Sequence, residues 1–164
     1  MLTTPLLLLI VYGPMIFEAR VAAMNERTLR RRGGVESPDD VFAIMRIAYP
    51  AVFLAMILEG VWWPGHEYQV AGLAVFMCGK MLKSWAMLSL GDAWSFRVIV
   101  VPGAKLVSTG PYRWLRHPNY AGVVGELVGV ALMSGARLTG PVGTVLFAVL
   151  MLKRISVEER ALNL

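Results

Sequence analysis

The sequence contains 164 residues, of which 57% are hydrophobic and 16% are charged, and its mean hydropathy is +0.60. These values exclude an ordinary soluble domain and indicate one integral membrane domain. The formal net charge of +5 does not indicate nucleic-acid binding, because the cations flank apolar segments. Cys78 is the single cysteine, which excludes an intramolecular disulfide, and its apolar surroundings favour a buried thiol.

Five apolar segments approach the length of about 20 residues that crosses a bilayer. They predict membrane helices near residues 2–18, 41–63, 68–90, 119–136 and 139–155. The predicted fold is therefore an all-α integral membrane bundle forming a single domain over residues 1–164. Three N-terminal spans occupy residues 1–90, and a cytosolic cofactor-binding loop and a C-terminal helical hairpin occupy residues 91–164. Pro14 and Pro50 fall inside predicted helices, where neighbouring helices can re-satisfy the backbone.

The cations predict the orientation in the membrane. They form three groups, which lie in the first loop, at or after the end of the third span, and at the C-terminus: Arg20, Arg27, Arg30, Arg31 and Arg32; Lys80, Lys83, Arg97, Lys105, Arg113 and Arg116; Lys153, Arg154 and Arg160. The positive-inside rule places all three groups in the cytoplasm. The N-terminus, the turn WWPGHEY and the tip near Arg137 then lie on the far side, and a multi-pass protein of a bacterial inner membrane is expected.

The segment GPYRWLRHPNYAG, residues 110–122, is unusually polar for this chain. Pro118 suits the first position of a helix, because its ring fixes φ and the missing N–H has no helical partner there. A turn near Arg137 makes the last two spans an antiparallel hairpin, in which residues whose numbers sum to about 275 lie at similar depth. This register pairs His117 with Glu158.

Arg154 and Glu158 are four residues apart in KRISVEERAL and therefore share one face of the last helix. With His117, Asn119 and Tyr120 they form a predicted polar site at the cytoplasmic mouth of the hairpin. The alternative for the arginines is that they anchor helix ends at anionic headgroups. Glu126 lies inside an apolar span, where an acid is costly. It is predicted either to pair with a polar neighbour or to line a substrate passage.

Two segments, LVSTGPYRWLRHPNYAG and RISVEERAL, resemble the isoprenylcysteine carboxyl methyltransferase family of integral membrane enzymes. The resemblance extends over about residues 94–162, and no metal site is expected. It implies S-adenosylmethionine as cofactor and a cofactor pocket formed by Lys105, Leu106, Val107, Tyr112, His117, Pro118, Asn119, Tyr120 and Glu158. It also implies that Arg154 faces the carboxylate of the acceptor, so that Arg154 and Glu158 are the catalytic candidates and Arg154 is a substrate-binding one. Glu126, an acid inside an apolar span, is the second substrate-binding candidate.

The segments NERTLRRRGGVES and WSFRVIVVPGAKLV are similar to a bacterial subgroup of small membrane methyltransferases associated with type III polyketide synthases. The resemblance to this subgroup implies O-methylation of the hydroxyl of a long-chain alkylpyrone or alkylresorcinol, whereas the resemblance to the wider family implies a prenylcysteine carboxylate. In either case a lipophilic acceptor within membrane lipid is expected.

Two other functions remain open from the sequence. Membrane reductases of the sterol reductase type use NAD(P)H and have a similar RHPNY stretch, although RISVEERAL fits a methyltransferase better. A non-catalytic membrane carrier would have no cofactor affinity. A Gly-rich strand-to-helix turn, as in soluble methyltransferases, is not found in the sequence.

Overall fold

A computed structural model describes residues 2–65 and 67–162, so His66 lies outside the described residues. Within them the chain forms five long helices: α1 (Thr4–Arg31), α2 (Phe42–Trp62), α3 (Gln69–Leu90), α4 (Pro118–Ser134) and α5 (Thr139–Leu162). The prediction of an all-α bundle is confirmed. One small addition is an antiparallel ladder between two-residue strands, β1 (Val35–Glu36) and β2 (Ile99–Val100).

Four helices, α1, α2, α3 and α5, are long and apolar enough to cross a membrane. The fifth, α4, has 17 residues and lies against α2, α3 and α5. Buried side chains of α2 and α4, including Phe53, Met56, Leu127 and Met133, form the centre of the core. The short helix α4 is therefore the central element of the bundle.

The predicted end of the first helix is wrong. Residues 19–31 continue α1 instead of forming a loop, so that Arg20, Arg27, Arg30 and Arg31 lie on the helix. No glycine or proline interrupts this stretch, which is rich in alanine and arginine, both good helix formers. The helix ends where Gly33 adopts a φ of 80°, a conformation that favours glycine.

Close contact between α3 and α4 depends on glycine. A Cβ at Gly79 would lie 2.8 Å from the carbonyl oxygen of Gly122, and a Cβ at Gly129 would lie 2.5 Å from the backbone nitrogen of Phe76. Small residues at such positions allow membrane helices to pack backbone against backbone. The α3–α4 pair therefore fixes where α4 begins and ends.

Lys80 and Lys83 lie within α3, whereas their predicted cation group lies at or after the end of that helix. Both donate to Glu18 of α1 at 2.7 Å. Both lysines are buried, and a second acid, Glu126 of α4, lies beside them. Buried charges are tolerated in a span when they are paired in this way, so these lysines carry no information about topology.

Cys78 is exposed on the surface of α3, so the prediction of a buried thiol is wrong. The apolar neighbours in its sequence do not all face the core, since residues that share a helical run lie on different faces. Phe76 of the same run is buried, whereas Met77 is 48% exposed. In a membrane this exposed face meets lipid, where an apolar thiol is equally acceptable.

One end of the bundle, here called the polar end, contains the C-terminal ends of α1, α3 and α5 and the N-terminal ends of α2 and α4. Its two connecting segments are joined by the β1–β2 ladder and by Glu36, which accepts hydrogen bonds from Arg30 and Arg97. Partial burial raises the pKa of Glu36, but the two guanidinium groups outweigh it and hold that pKa below its usual value.

The other end, here called the opposite end, contains the turn of the α4–α5 hairpin. Gly135 ends α4 with a φ of 72°. Glu59 of α2 then accepts hydrogen bonds from the backbone N–H groups of Leu138 and Thr139, at 2.9 and 2.7 Å. A carboxylate at a helix N-terminus is favourable, because it satisfies free N–H groups and opposes the helix dipole. This cap fixes the start of α5 relative to α2.

Candidate active site at the hairpin mouth

The candidate site lies at the polar end, where α4 begins and α5 ends. Helix α4 begins at Pro118, as predicted, and His117 precedes it with a non-helical φ of −129° and ψ of 61°. Pro118 is buried, whereas His117 is partly exposed. The predicted pairing is present, since His117 Nδ1 lies 3.8 Å from Glu158 Oε2.

A chain of polar contacts connects the two helices of the hairpin. The Tyr120 hydroxyl donates to Glu158 Oε2 at 3.0 Å and accepts from Arg154 Nε at 2.9 Å. Arg154 is buried, with 7% of its surface exposed. One phenol oxygen therefore links a carboxylate to a guanidinium, and hydrogen bonds to such charged groups are the stronger kind.

Glu159 also belongs to the site, although it is not among the predicted site residues. Its Oε1 lies 3.2 Å from His117 Nε2. The two neighbouring acids Glu158 and Glu159 thus face opposite nitrogens of one imidazole ring, and each side chain is 33% exposed. The doubled glutamate in RISVEERAL is the sequence signal for this arrangement.

Asp40, which lies just before α2, also contacts the site, although it is not among the predicted site residues. Its Oδ1 accepts from Arg154 Nη1 at 2.9 Å, so the carboxylate contacts the same guanidinium as Tyr120. The pair is buried, with side-chain exposures of 9% for Arg154 and 4% for Asp40. Since the two residues are 114 positions apart, no local pattern connects them.

Asn119 faces a different neighbour from the other predicted residues. Its side-chain oxygen accepts from Trp94 Nε1 at 3.2 Å, and Trp94 is 3% exposed. The Trp94 carbonyl in turn accepts from the side chain of Asn25 in α1 at 2.8 Å. Asn119 therefore fixes the segment that follows α3 to the base of the candidate site.

The predicted cofactor loop makes no polar contact with the described part of the hairpin through Lys105, Leu106 or Val107. Lys105 and Leu106 are exposed, Val107 is half-buried, and none of the three has a hydrogen bond or ion pair to the hairpin among the described residues. Tyr112 lies closer to the site, within reach of the electrostatic influence of Glu158. Burial, and then the Glu158 carboxylate, raise the pKa of the Tyr112 phenol above its usual value.

Glu126 lies away from the hairpin mouth and is 1% exposed. It accepts a short hydrogen bond from the Tyr49 hydroxyl, and its oxygens lie 3.2 and 3.4 Å from the ammonium groups of Lys80 and Lys83. Glu126 was predicted either to pair with a polar neighbour or to line a substrate passage, and these contacts favour the first prediction. They join α4 to α2 and α3.

The site can bind a positively charged ligand next to a second ligand that carries a carboxylate or another acidic oxygen. Glu158 and Glu159 offer carboxylates that can pair with the ammonium or sulfonium of S-adenosylmethionine, and Tyr112 and Tyr120 offer aromatic faces for a cation. Arg154 can hold an oxygen anion. The side chains therefore fit the implied cofactor, and Glu158, Tyr112 and His117 are the residues that would hold it.

A helical membrane bundle with a charged site at the mouth of its C-terminal hairpin is the class of protein that these features define. The sequence profile of the isoprenylcysteine carboxyl methyltransferase (ICMT) family matches residues 71–164. The match covers more than half of the chain, including α3, the loop, α4 and α5. The protein belongs to this family.

The chain is similar to the uncharacterized protein YpbQ of Bacillus subtilis (strain 168), with 33% identity covering 96% of this chain and 95% of that protein. It is also similar to the human protein-S-isoprenylcysteine O-methyltransferase, with 29% identity covering 72% of this chain and 43% of the human protein. For the protein-S-isoprenylcysteine O-methyltransferase B of Arabidopsis thaliana the identity is 29%, covering 67% of this chain and 59% of the plant protein. No solved structure matches the chain.

Proposed function

We propose that the protein is an S-adenosylmethionine-dependent O-methyltransferase that modifies a lipophilic acceptor at the membrane, with the hairpin mouth as its active site. The observation that carries the proposal is the partly buried contact chain from Glu158 through Tyr120 to Arg154. It lies within the segment that matches the methyltransferase family. It also places a carboxylate for a cationic donor next to a guanidinium for an anionic acceptor.

S-adenosylmethionine, when bound, supplies the methyl group. Glu158 pairs with a positive charge of the cofactor, while His117 and Tyr112 form the sides of its pocket. Lys105 and Leu106 are exposed, and their segment is a further part of the proposed cofactor pocket. Transfer from a sulfonium to an oxygen needs alignment of donor and acceptor and exclusion of water, so no protein nucleophile is required.

Arg154 orients the acceptor oxygen. Its planar guanidinium holds a carboxylate or an enolate and favours the deprotonated form that attacks the methyl group. The acceptor is a prenylcysteine carboxylate or the hydroxyl of a long-chain alkylpyrone or alkylresorcinol, and both present an oxygen acid on an apolar chain. Arg154 suits either head group.

The acceptor enters laterally from lipid, with its apolar chain in the bilayer and its polar head group at Arg154, which lies on the buried face of α5 with Phe147 and Met151. The active site then opens toward the cytoplasm of a bacterial inner membrane, as the positive-inside rule predicts.

Titration of the detergent-purified protein with S-adenosylmethionine by calorimetry tests the proposal. We expect binding by the wild type and affinity at least about tenfold lower, a loss of about 1.4 kcal/mol, in Glu158→Gln and His117→Ala. Glu67→Gln is the matched control, because Glu67 is an exposed acid at the opposite end. Its affinity should equal that of the wild type.

Two outcomes would overturn the proposal. A folded wild type that is stabilised thermally by NADPH and not by S-adenosylmethionine would indicate a reductase. Stabilisation by neither cofactor would indicate a non-catalytic carrier. Equal affinity in the wild type and Glu158→Gln would leave the cofactor in place but remove Glu158 from its pocket.

A further inference from the structure

Asp40 lies in the segment between α1 and α2, outside the residues 71–164 that match the family. Its carboxylate makes three contacts. Oδ1 accepts from the backbone N–H of Phe42 at 3.0 Å and from Arg154 Nη1 at 2.9 Å, and Oδ2 accepts from the backbone N–H of Val98 at 2.8 Å. One side chain thus connects the start of α2, the loop after α3 and the end of α5.

We propose that Asp40 is a positioning residue of the acceptor site, which it serves by holding the Arg154 guanidinium in one orientation. The acceptor role of Arg154 rests on the proposed function, whereas the contact between the two side chains does not. Asp40 binds Nη1, and the Tyr120 hydroxyl binds Nε. Two partners at different nitrogens fix the plane of a guanidinium, whose long side chain otherwise samples many rotamers.

The two backbone contacts make Asp40 a fixed support. Because the N–H groups of Phe42 and Val98 orient the carboxylate, its position does not depend on Arg154. Preorganised partners of this kind lower the cost of aligning an active-site group. The N-terminal half of the chain therefore contributes to a site whose other residues lie in the C-terminal half.

The neighbouring acid provides a contrast. Asp39 has a side chain that is 68% exposed and lies 3.9 Å from Arg160, which is 69% exposed. Exposed pairs of this kind contribute little, because solvent screens them. Asp40 and Asp39 thus differ in burial and in partner but not in chemistry, which makes Asp39→Asn a matched control for Asp40→Asn.

Asp40→Asn removes the negative charge opposite Arg154. The amide has one acceptor oxygen instead of two, so it can keep only one of the hydrogen bonds from the Phe42 and Val98 N–H groups. Arg154 is then held by Tyr120 alone and can turn away from its buried position. The proposed cofactor residues Tyr112, His117 and Glu158 do not contact Asp40 among the described residues. The effect is therefore expected on the acceptor and not on the cofactor.

Reactivity of Arg154 toward phenylglyoxal, followed by mass spectrometry of the Arg154 peptide, tests the positioning without any substrate. In the wild type and in Asp39→Asn we expect slow modification, since Arg154 is 7% exposed. In Asp40→Asn we expect modification several-fold faster, and in Asp40→Glu, which keeps the charge, an intermediate rate. An unchanged rate at Arg154 in Asp40→Asn would overturn the proposal, whatever the activity of the protein.

Methyl transfer gives the second readout, with tritiated S-adenosylmethionine and either N-acetyl-S-farnesylcysteine or a pentadecylresorcinol as probe. Asp40→Asn is expected to lower kcat/KM for the acceptor about tenfold, which corresponds to about 1.4 kcal/mol, with cofactor Kd within about twofold of wild type. In an Arg154→Ala background, Asp40→Asn should cause no further loss, because the two act as a unit.

The two readouts separate the positioning role from the proposed function. A full further loss in the Arg154→Ala background, or a cofactor Kd that weakens in parallel with kcat/KM, would assign Asp40 a general structural role and refute the positioning. Failure of the wild type to bind S-adenosylmethionine would instead refute the methyltransferase function. The phenylglyoxal result would still decide whether Asp40 holds Arg154.

Discussion

At the scale of single residues, Tyr120 has the most specific position, because its hydroxyl is both donor to Glu158 and acceptor from Arg154. A phenol has one proton to donate, and here the carboxylate receives it while the guanidinium approaches the lone pairs. The two charged residues are thereby held on either side of one oxygen. No other aromatic residue in the described hairpin has this pair of partners.

Tyr120→Phe removes that oxygen and keeps the ring. We expect kcat/KM for the acceptor to fall about tenfold or more, because hydrogen bonds to charged groups contribute about 1.5–3 kcal/mol each. The measurement is methyl transfer to the acceptor probe that the wild type accepts. Tyr68→Phe is the control, since Tyr68 is 60% exposed at the opposite end. Wild-type kcat/KM in Tyr120→Phe would show that the contact chain plays no part in catalysis.

At the scale of elements, the sequence predicted the hairpin well and the long-range contacts poorly. Pro118 marks the start of α4, and antiparallel counting brings His117 to Glu158, because both depend on local rules of helix geometry. The contact of Asp40 with Arg154 depends on the path of two loops. The ion pairs of Lys80 and Lys83 depend on which faces of three helices meet, and hydropathy does not specify that.

The loop after α3 shows the same limit. Its role as a cofactor segment came from the resemblance, and at Lys105 and Leu106 the structure shows exposed side chains. Its first part is fixed by Trp94, whose indole N–H donates to Asn119. Few regular hydrogen bonds constrain the part of the loop between Trp94 and α4. Its conformation could therefore not be predicted from local sequence rules.

The buried charge cluster of Glu18, Lys80, Lys83 and Glu126 allows a prediction about the α1–α3–α4 packing. Lys83→Met leaves two carboxylates with one ammonium in a buried position, since Lys83 is 4% exposed. Removing one partner of a buried pair costs about 3–5 kcal/mol. We expect a large drop in the thermal unfolding midpoint of the detergent-purified protein.

The control is Lys153→Met, which makes the same change at an exposed position of α5. Its unfolding midpoint should stay near that of the wild type. The double variant Glu18→Gln/Lys83→Met restores a balance of one acid and one base, and it should recover part of the lost stability. If Lys83→Met and Lys153→Met unfold at the same temperature, the cluster does not stabilise the bundle.

At the scale of the whole molecule, the two ends of the bundle differ in charge. The polar end contains Arg30, Arg32 and Arg97 together with the candidate site, whereas the opposite end contains the capping acid Glu59, the exposed acid Glu67 and the exposed Arg137. Because Lys80 and Lys83 are buried in ion pairs, they no longer count among the cations of the polar end. That end still has more cations than the opposite end. The positive-inside rule still places the polar end in the cytoplasm.

Thiol labelling tests this orientation, because the sequence contains one cysteine, which can be replaced as Cys78→Ser. In that background, Ser108→Cys adds a thiol at an exposed site of the polar end, and Glu67→Cys adds one at an exposed site of the opposite end. A membrane-impermeant maleimide should label Glu67→Cys in intact bacterial spheroplasts and Ser108→Cys only after lysis. The reverse pattern would place Arg154 and Glu158 outside the cytoplasm, where S-adenosylmethionine is not supplied. The proposed reaction could then not occur in that membrane, so this labelling result bears on the function as directly as on the topology.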